Sequence, residues 1–224
     1  MNDNKISIVI PTLNEAGNIR RLIPAIRRVL HGRRFEIIVV DGHSSDGTAS
    51  RARKLGAEVI YDGVGKGSAL IKGIKASSGD IVVSMDADLS HRPNELLVLI
   101  AGIEAGYDIC MGSRFLTGGG SDDMPLYRRF GNLMFVTLVN LIYGARYTDL
   151  CYGYRSFAKG VAQRLRLSET GFGIETEISI KAIKCHMRIM EIPSYEKLRL
   201  HGSGKLRSIA DGARILYAIL RNAS

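Results

Sequence analysis

Short apolar runs alternate with amphipathic stretches through the first half of this 224-residue chain, and that rhythm restricts its fold more than any other feature. Residues 6–10 (Ile-Ser-Ile-Val-Ile) read as a strand ended by Pro11. Residues 18–30 read as a helix with Ile19, Leu22, Ile23, Ile26 and Leu30 on one face. The pattern then repeats: strand 36–40, turn-rich loop 41–48, short helix 48–55, strand 58–60, and helix 67–77 with Leu70, Ile71 and Ile74 inward. Strand 80–85, a helix from Pro93 to about residue 105, and strand 108–111 complete the series. Strands separated by helices of this length predict parallel βαβ units, and therefore an α/β fold with a doubly wound sheet.

Such a sheet binds ligands at the carboxyl ends of its strands. Three of the expected strand ends carry acids or amides: Pro11-Thr-Leu-Asn-Glu15, then Asp41 with Asp46 five residues on, then Asp86-Ala87-Asp88. In a parallel sheet these groups are expected to converge on one rim, where like charges repel unless a cation joins them. Mg²⁺ and Mn²⁺ prefer oxygen ligands and keep some of their waters, so Asp86 and Asp88 are the candidate metal ligands. An Asp-x-Asp pair is a weak motif alone, and the convergence is what gives it weight. His91, beside the pair, suits either a hydrogen-bonding role or ligation.

After Gly112 the rhythm changes. Residues 117–123 (Thr-Gly-Gly-Gly-Ser-Asp-Asp) read as a mobile loop too glycine-rich to pack. Residues 126–143 read as a helix whose 133–143 stretch is apolar nearly all round, yet below the ~20 residues of a membrane span. Two readings stay open for it: a core helix, or a helix in a membrane interface with Arg128, Arg129 and Arg146 at its ends. Residues 209–220 form a short amphipathic pattern that suits packing on the domain, a membrane surface or a separate membrane protein.

The formal charge is +9, and from Lys181 onward nine Lys/Arg stand against three Asp/Glu, about +6 in the last fifth of the chain. Nucleic acid, an anionic membrane and a phosphate-rich substrate all fit that imbalance. Cys110, Cys151 and Cys185 are widely spaced and odd in number, which predicts reduced thiols. The first residues lack the basic start and apolar core of a signal peptide, so the expected location is cytoplasmic.

Other glycine-rich motifs fail on context. Gly63-Val-Gly65-Lys66-Gly67 does not follow the first strand, as a dinucleotide fingerprint must, and in Gly202-Ser-Gly204-Lys205 the lysine precedes Leu206 rather than Ser or Thr. No Gly-x-Ser-x-Gly or comparable nucleophile signature is present.

Residues 9–15 (Val-Ile-Pro-Thr-Leu-Asn-Glu), 39–48 (Val-Val-Asp-Gly-His-Ser-Ser-Asp-Gly-Thr), Gly65-Lys66-Gly67 and 85–91 (Met-Asp-Ala-Asp-Leu-Ser-His) resemble, in order, the motifs of inverting family 2 glycosyltransferases. The likeness is greatest to the dolichyl-phosphate mannose synthase group and its polyprenyl-phosphate hexosyltransferase relatives. It continues through residues 112–115, 149–155, 173–177 and 202–206, and so runs along nearly the whole chain.

The resemblance implies a GT-A fold, with a mostly parallel central sheet flanked by helices, and a nucleotide sugar bound with Mg²⁺ or Mn²⁺. It implies one domain over 1–224, with a nucleotide-sugar half at 1–111 and an acceptor half at 112–224. Pro11, Leu13, Glu15 and Asp41 would surround the base and ribose, with Leu13 where the family usually has tyrosine. Lys66, Ala87 and the metal-binding Asp86 and Asp88 would complete the donor site, and Ser90 stands where some relatives ligate with glutamine. Arg114, Arg129, Arg199 or His201, and Lys205 match basic positions that face phosphate. Asp149 and Glu175 match acids near the sugar, and with Asp88, Arg114 and Arg129 they form the expected catalytic set. The segment Asp149-Leu-Cys-Tyr-Gly153 departs from the family's Asp-Leu-Thr-Gly-like pattern where sugar identity could be decided.

The expected reaction moves mannose or glucose from a donor of the GDP-mannose or UDP-glucose type to a polyprenyl phosphate (dolichyl or undecaprenyl), peripherally at the cytoplasmic face of a membrane. Relatives often continue into transmembrane helices, whereas this sequence ends on its amphipathic stretch. A soluble hydroxyl acceptor is the alternative, and it would need Asp149 or Glu175 as general base. A nucleic-acid-binding protein fits the charge but not the carboxylate cluster, which would repel phosphate. A sugar nucleotidyltransferase would need an N-terminal glycine-rich phosphate loop, which is absent.

Overall fold

The computed structural model describes residues 4–199 and 208–222. His201 and Lys205, with the rest of the Gly202–Leu206 motif, lie outside the described residues.

The first half runs β1 (Ile6–Thr12), α1 (Ala16–Val29), β2 (Phe35–Asp41), α2 (Thr48–Lys54), β3 (Glu58–Tyr61), α3 (Lys66–Ala76) and β4 (Ile81–Ser84). A 3-10 turn over Pro93–Glu95 leads into α4 (Leu96–Glu104), followed by β5 (Ile109–Ser113). The second half adds β6 (Gly120–Ser121), α5 (Leu126–Tyr143), β7 (Arg155–Ala158), α6 (Val161–Leu165), α7 (Ile174–Lys184), β8 (Ile189–Pro193), β9 (Tyr195–Glu196) and α8 (Ser208–Arg221).

Seven strands form one sheet in the order β3-β2-β1-β4-β7-β5-β8. All pairings are parallel except those of β7, which runs antiparallel between β4 and β5. The mostly parallel GT-A sheet expected from the sequence is therefore present. β1 is central, and its alternating side chains feed two cores. Ile6, Ile8 and Ile10 pack with Ile19, Leu22, Ile23 and Ile26 of α1 and with Leu96 and Leu99 of α4. Val9 faces α3 and α7 through Leu70, Ile74 and Ile178. Burial on both faces explains why these strands read as continuous apolar runs.

A third core joins Phe135, Val136 and Val139 of α5 to Ile180 of α7 and to Ile215 and Ile219 of α8. That settles what α5 buries, but its other side stays in solvent. Leu126, Phe130 and Leu141 are 83%, 71% and 81% exposed, and Tyr217 and Leu220 of α8 are exposed as well. Among the described residues no helix is long and apolar enough to cross a membrane.

The 117–123 segment corrects the expectation of a mobile loop. Gly120 and Ser121 pair in parallel with Tyr195 and Glu196. A Cβ on Gly119 would lie 2.5 Å from the Ser113 carbonyl oxygen, and one on Gly120 would lie 2.7 Å from the Tyr195 ring. These glycines permit close packing, which composition alone reads as looseness.

Candidate active site

β1 and β4 both end on the same rim of the sheet, and beyond them opens a cavity of about 700 Å³. Pro11, Leu13 and Glu15 line it after β1, Asp86, Ala87 and Asp88 after β4, and Lys66 at the first turn of α3. Arg114, Glu175 and Arg199 also reach it.

The expected convergence of strand-end acids is only partly realised. Asp41 is fully buried and does not line the cavity. Its carboxylate accepts from Thr12 Oγ1 at 3.1 Å, Ser44 Oγ at 2.6 Å and Ser44 N at 2.8 Å, so it closes its own loop. Asp46 accepts from Ala16 N at 2.9 Å and so ties the same loop to the start of α1. Hydrogen bonds to local N–H and O–H groups satisfy these acids, which leaves Asp86 and Asp88 as the pair that opens on the cavity.

Each of the two is already matched by a cation. Lys66 Nζ lies 2.9 Å from Asp86 Oδ1 and 2.9 Å from Glu175 Oε1. Arg199 Nε lies 3.1 Å from Asp88 Oδ2 and 3.1 Å from Asp123 Oδ2. Burial works against the charge on Lys66, but Asp86 and Glu175 outweigh it and raise its pKa. Burial likewise opposes the Asp86 carboxylate, yet the adjacent ammonium holds it below the usual range.

Lys66 is delivered by close backbone packing. Gly67 N donates to Thr170 O at 2.9 Å, and a Cβ on Gly65 or Gly67 would meet the Thr170 or Glu169 carbonyl oxygen at 2.5 or 2.3 Å. The Gly-Lys-Gly motif therefore docks α3 against the 169–171 loop, and the α3 amides there are already used.

His91 takes the hydrogen-bonding role of the two the sequence allowed. Its Nδ1 accepts from Asp86 N at 3.1 Å, which places the proton on Nε2, 3.8 Å from Asp86 Oδ2. The ring is buried, stacked on Tyr154 at 4.6 Å and edge-on to Tyr152 at 4.7 Å. Burial lowers its pKa, so it is neutral at pH 7. Ser90 is buried and gives its amide to Asp88 Oδ1 at 3.0 Å, and it does not face the cavity.

Asp149 is also fully buried and does not itself line the cavity; it stands behind Arg114, which does. It accepts from Arg114 Nε at 2.7 Å and Nη2 at 3.0 Å, while Arg114 Nη1 reaches Glu196 at 3.0 Å. Its work is to orient Arg114. The next turn is fixed by Arg155, whose guanidinium donates to the carbonyls of Leu150, Tyr152 and Glu175 and to Ser179 Oγ, at 2.8–3.0 Å. Sequence alone gives Arg155 no role beyond its place at the end of the 149–155 motif. Cys151 lines the cavity, and burial pushes its thiol up to about 12, so it stays protonated and unreactive.

Arg129 is exposed and sits over the Phe115 ring at 5.9 Å, outside the cavity. Its neighbour Arg128 lines the cavity instead, and its buried Nε has no hydrogen-bond partner among the described residues. Helical phase could have found it: Arg128 is four residues before Asn132 and seven before Phe135, on the buried face. From Arg128 the cavity continues between α5 and α8, along Gly131, Met134, Phe135, Gly212, Ile215 and Leu216.

Among the described residues no three His, Cys, Asp or Glu side chains gather to hold a metal on their own. Two carboxylates still suit Mg²⁺ or Mn²⁺, which binds through one or two protein oxygens and completes its shell with water and phosphate. The ammonium seated between Asp86 and Glu175 shows that the site requires positive charge.

Comparison with known proteins bears on the family and the fold. Residues 7–166 match the family model described as glycosyl transferase family 2. The dolichol-phosphate mannosyltransferase of Pyrococcus furiosus is 36% identical over 228 residues, covering 97% of this chain and 64% of that protein, so the chain spans less than two thirds of that relative. A dolichyl-phosphate hexose transferase of Haloferax volcanii is 31% identical over 217 residues, covering 96% of this chain and 92% of its own length. Among solved structures, the glucosyl-3-phosphoglycerate synthase of Mycobacterium tuberculosis with Mn²⁺, UDP and glucosyl-3-phosphoglycerate superimposes with a TM-score of 0.78 at 23% identity, covering 98% of this chain and 80% of that one. With the ordered motifs, the sheet and the rim all in agreement, the chain belongs to glycosyl transferase family 2.

Proposed function

We propose that this protein transfers a hexosyl group, mannosyl or glucosyl, from a nucleoside-diphosphate sugar to a polyprenyl phosphate, with inversion. The observation that carries this reading is the continuity of one cavity from Asp86 and Asp88, past Arg114 and Arg128, into the apolar gap between α5 and α8. Such a space suits an acceptor with an anionic head and an apolar tail. The names of the Pyrococcus and Haloferax relatives support the same acceptor class.

Pro11, Leu13 and Glu15 would flank the nucleoside, with Lys66 and Arg199 near the diphosphate. Asp86 and Asp88 would hold Mg²⁺ or Mn²⁺, which supplies electrostatic stabilisation of the departing diphosphate. Arg114, held by Asp149 and Glu196, presents a fixed positive charge to the reacting groups without reorganising. Arg128 would take the acceptor phosphate. That phosphate is already ionised near neutral pH, with a second pKa of about 6, so no general base is needed. The geometry agrees: Asp149 is occupied by Arg114, and Glu175 by Lys66.

The exposed apolar side chains of α5 and α8 flank the acceptor end and fit the interface of a lipid bilayer. The test is transfer itself. Purified protein with Mn²⁺, GDP-mannose or UDP-glucose, and a polyprenyl phosphate should yield a sugar-phosphate lipid. Transfer only to soluble hydroxyl acceptors would overturn the reading, and Phe130→Glu with Leu141→Glu should reduce sedimentation with vesicles.

A further inference from the structure

Both acids of the Asp-x-Asp pair are bridged by a cation that also holds a second carboxylate outside the pair. Lys66 spans Asp86 and Glu175, and Arg199 spans Asp88 and Asp123. Each cation can therefore release its inner partner without being left unpaired. We propose that Lys66 is a stand-in for the metal, so that without nucleotide the site resists divalent cations and takes one up only together with the donor's diphosphate.

The physical reasoning is competition and exchange. A divalent ion on Asp86 must share a carboxylate with an ammonium 2.9 Å away, and two cations that close repel. A diphosphate removes that conflict. Its oxygens complete the metal's shell and offer Lys66 a new anionic partner while Glu175 keeps the other side of the ammonium. Metal and nucleotide should then tighten each other's binding by the same factor. The inference rests on the function proposed above, because it takes the ligand to be a nucleoside diphosphate with its metal.

The experiment measures Mn²⁺ binding to the whole chain by the electron-paramagnetic signal of free Mn²⁺, alone and with saturating GDP or UDP. Wild type should bind Mn²⁺ weakly alone and at least about tenfold more tightly with the cognate nucleotide, the effect of one modest charge interaction. Lys66→Met should bind Mn²⁺ alone at least about tenfold more tightly than wild type, and most of the coupling to nucleotide should vanish. Because this variant leaves two carboxylates without their cation, Glu175→Gln and Lys66→Met/Glu175→Gln provide a second comparison. The double variant should still bind Mn²⁺ more tightly than Glu175→Gln alone.

Failure of Mn²⁺ affinity to rise in both comparisons would overturn the inference while leaving the donor site intact. Wild type binding Mn²⁺ equally well with and without nucleotide would overturn it too. Wild type that binds no Mn²⁺ with either nucleotide would overturn the metal-dependent reading of the site, and the inference with it.

Discussion

The two ends of the cavity are built on opposite plans. At the sheet rim, Asp86, Asp88, Glu175 and Arg114 each have an opposite charge in contact, so the polar groups are fixed before any substrate arrives. At the far end, between α5 and α8, the walls are Met134, Phe135, Ile215 and Leu216, and two glycines replace side chains that would fill the space. A Cβ at Gly131 would meet nothing within 4 Å, and one at Gly212 only the Phe135 ring at 3.9 Å. Electrostatic pairing shapes one end and missing atoms shape the other. Substitutions at the rim should therefore act on chemistry and folding, and those at the far end on which acceptor is used.

The largest effect on turnover should come from Asp88→Asn. If Asp88 holds a metal on the diphosphate, kcat should fall by roughly 10²–10³, as when one preorganised stabiliser of transition-state charge is lost. The fold should persist, because Arg199 retains Asp123. Turnover near wild type would remove Asp88 from the chemistry and break the contrast between the two ends.

Next comes Arg114→Ala, read by denaturant unfolding. Asp149 has no exposed surface and relies on the Arg114 guanidinium, so the substitution leaves a buried carboxylate without its cation. Breaking a buried pair from one side costs about 3–5 kcal/mol. A loss of activity with unchanged stability would mean that Asp149 finds another partner.

How much of this was legible follows the same division. The alternation of residues 6–111 placed every strand and helix of the first half within a few residues, because propensity, periodicity and topology all agree there. β7 was not legible: Arg155–Ala158 is a four-residue strand inserted antiparallel between two strands distant in sequence, and no local pattern announces such a pairing. Asp86 and Asp88 are legible as acids at the carboxyl end of a strand and Lys66 through the resemblance, and all three line the cavity. The resemblance puts Asp41 and Asp149 beside the ligand as well, and the structure shows their carboxylates engaged by Ser44 and by the guanidinium of Arg114. A carboxylate looks the same in sequence whether water, metal or a neighbouring N–H completes it. Arg128 differs, since periodicity alone distinguishes it from Arg129.

A smaller and more selective effect should follow Gly212→Leu. The added side chain enters the cavity beside the Phe135 ring, and nucleotide binding should not change. Acceptor discrimination of this kind is worth about 1–3 kcal/mol, so kcat/KM for a long polyprenyl phosphate should fall roughly tenfold or more while a short isoprenyl phosphate is used as before. Replacing a helical glycine removes a backbone entropy cost of about 0.5–1 kcal/mol, so stability should hold or rise. Equal losses with long and short acceptors would show that the gap between α5 and α8 does not read chain length.

The smallest effect provides a control on the opposite rim. Glu36 stands at the amino end of β2, where it accepts from Ser7 Oγ, from Ser78 N at 2.8 Å and from the Lys5 ammonium. Burial pushes its pKa up, but hydrogen bonds from Lys5, Ser7 and Ser78 outweigh that and hold it at about 2, below its ordinary 4.5. A depressed folded-state pKa means that the stabilisation is fully present above about 4.5 and is lost as pH falls toward about 2. Wild type should therefore lose denaturant stability across that window more steeply than Glu36→Gln, and the two should converge at its acid end. Nucleotide and metal binding at pH 7 should be the same in both, because Glu36 does not line the cavity that holds Asp86 and Asp88. Identical acid slopes would show that the Glu36 charge contributes nothing to folding. A change in Mn²⁺ binding would show that the two rims are coupled through β2, and that the charge pairing at Asp86 is not a local device.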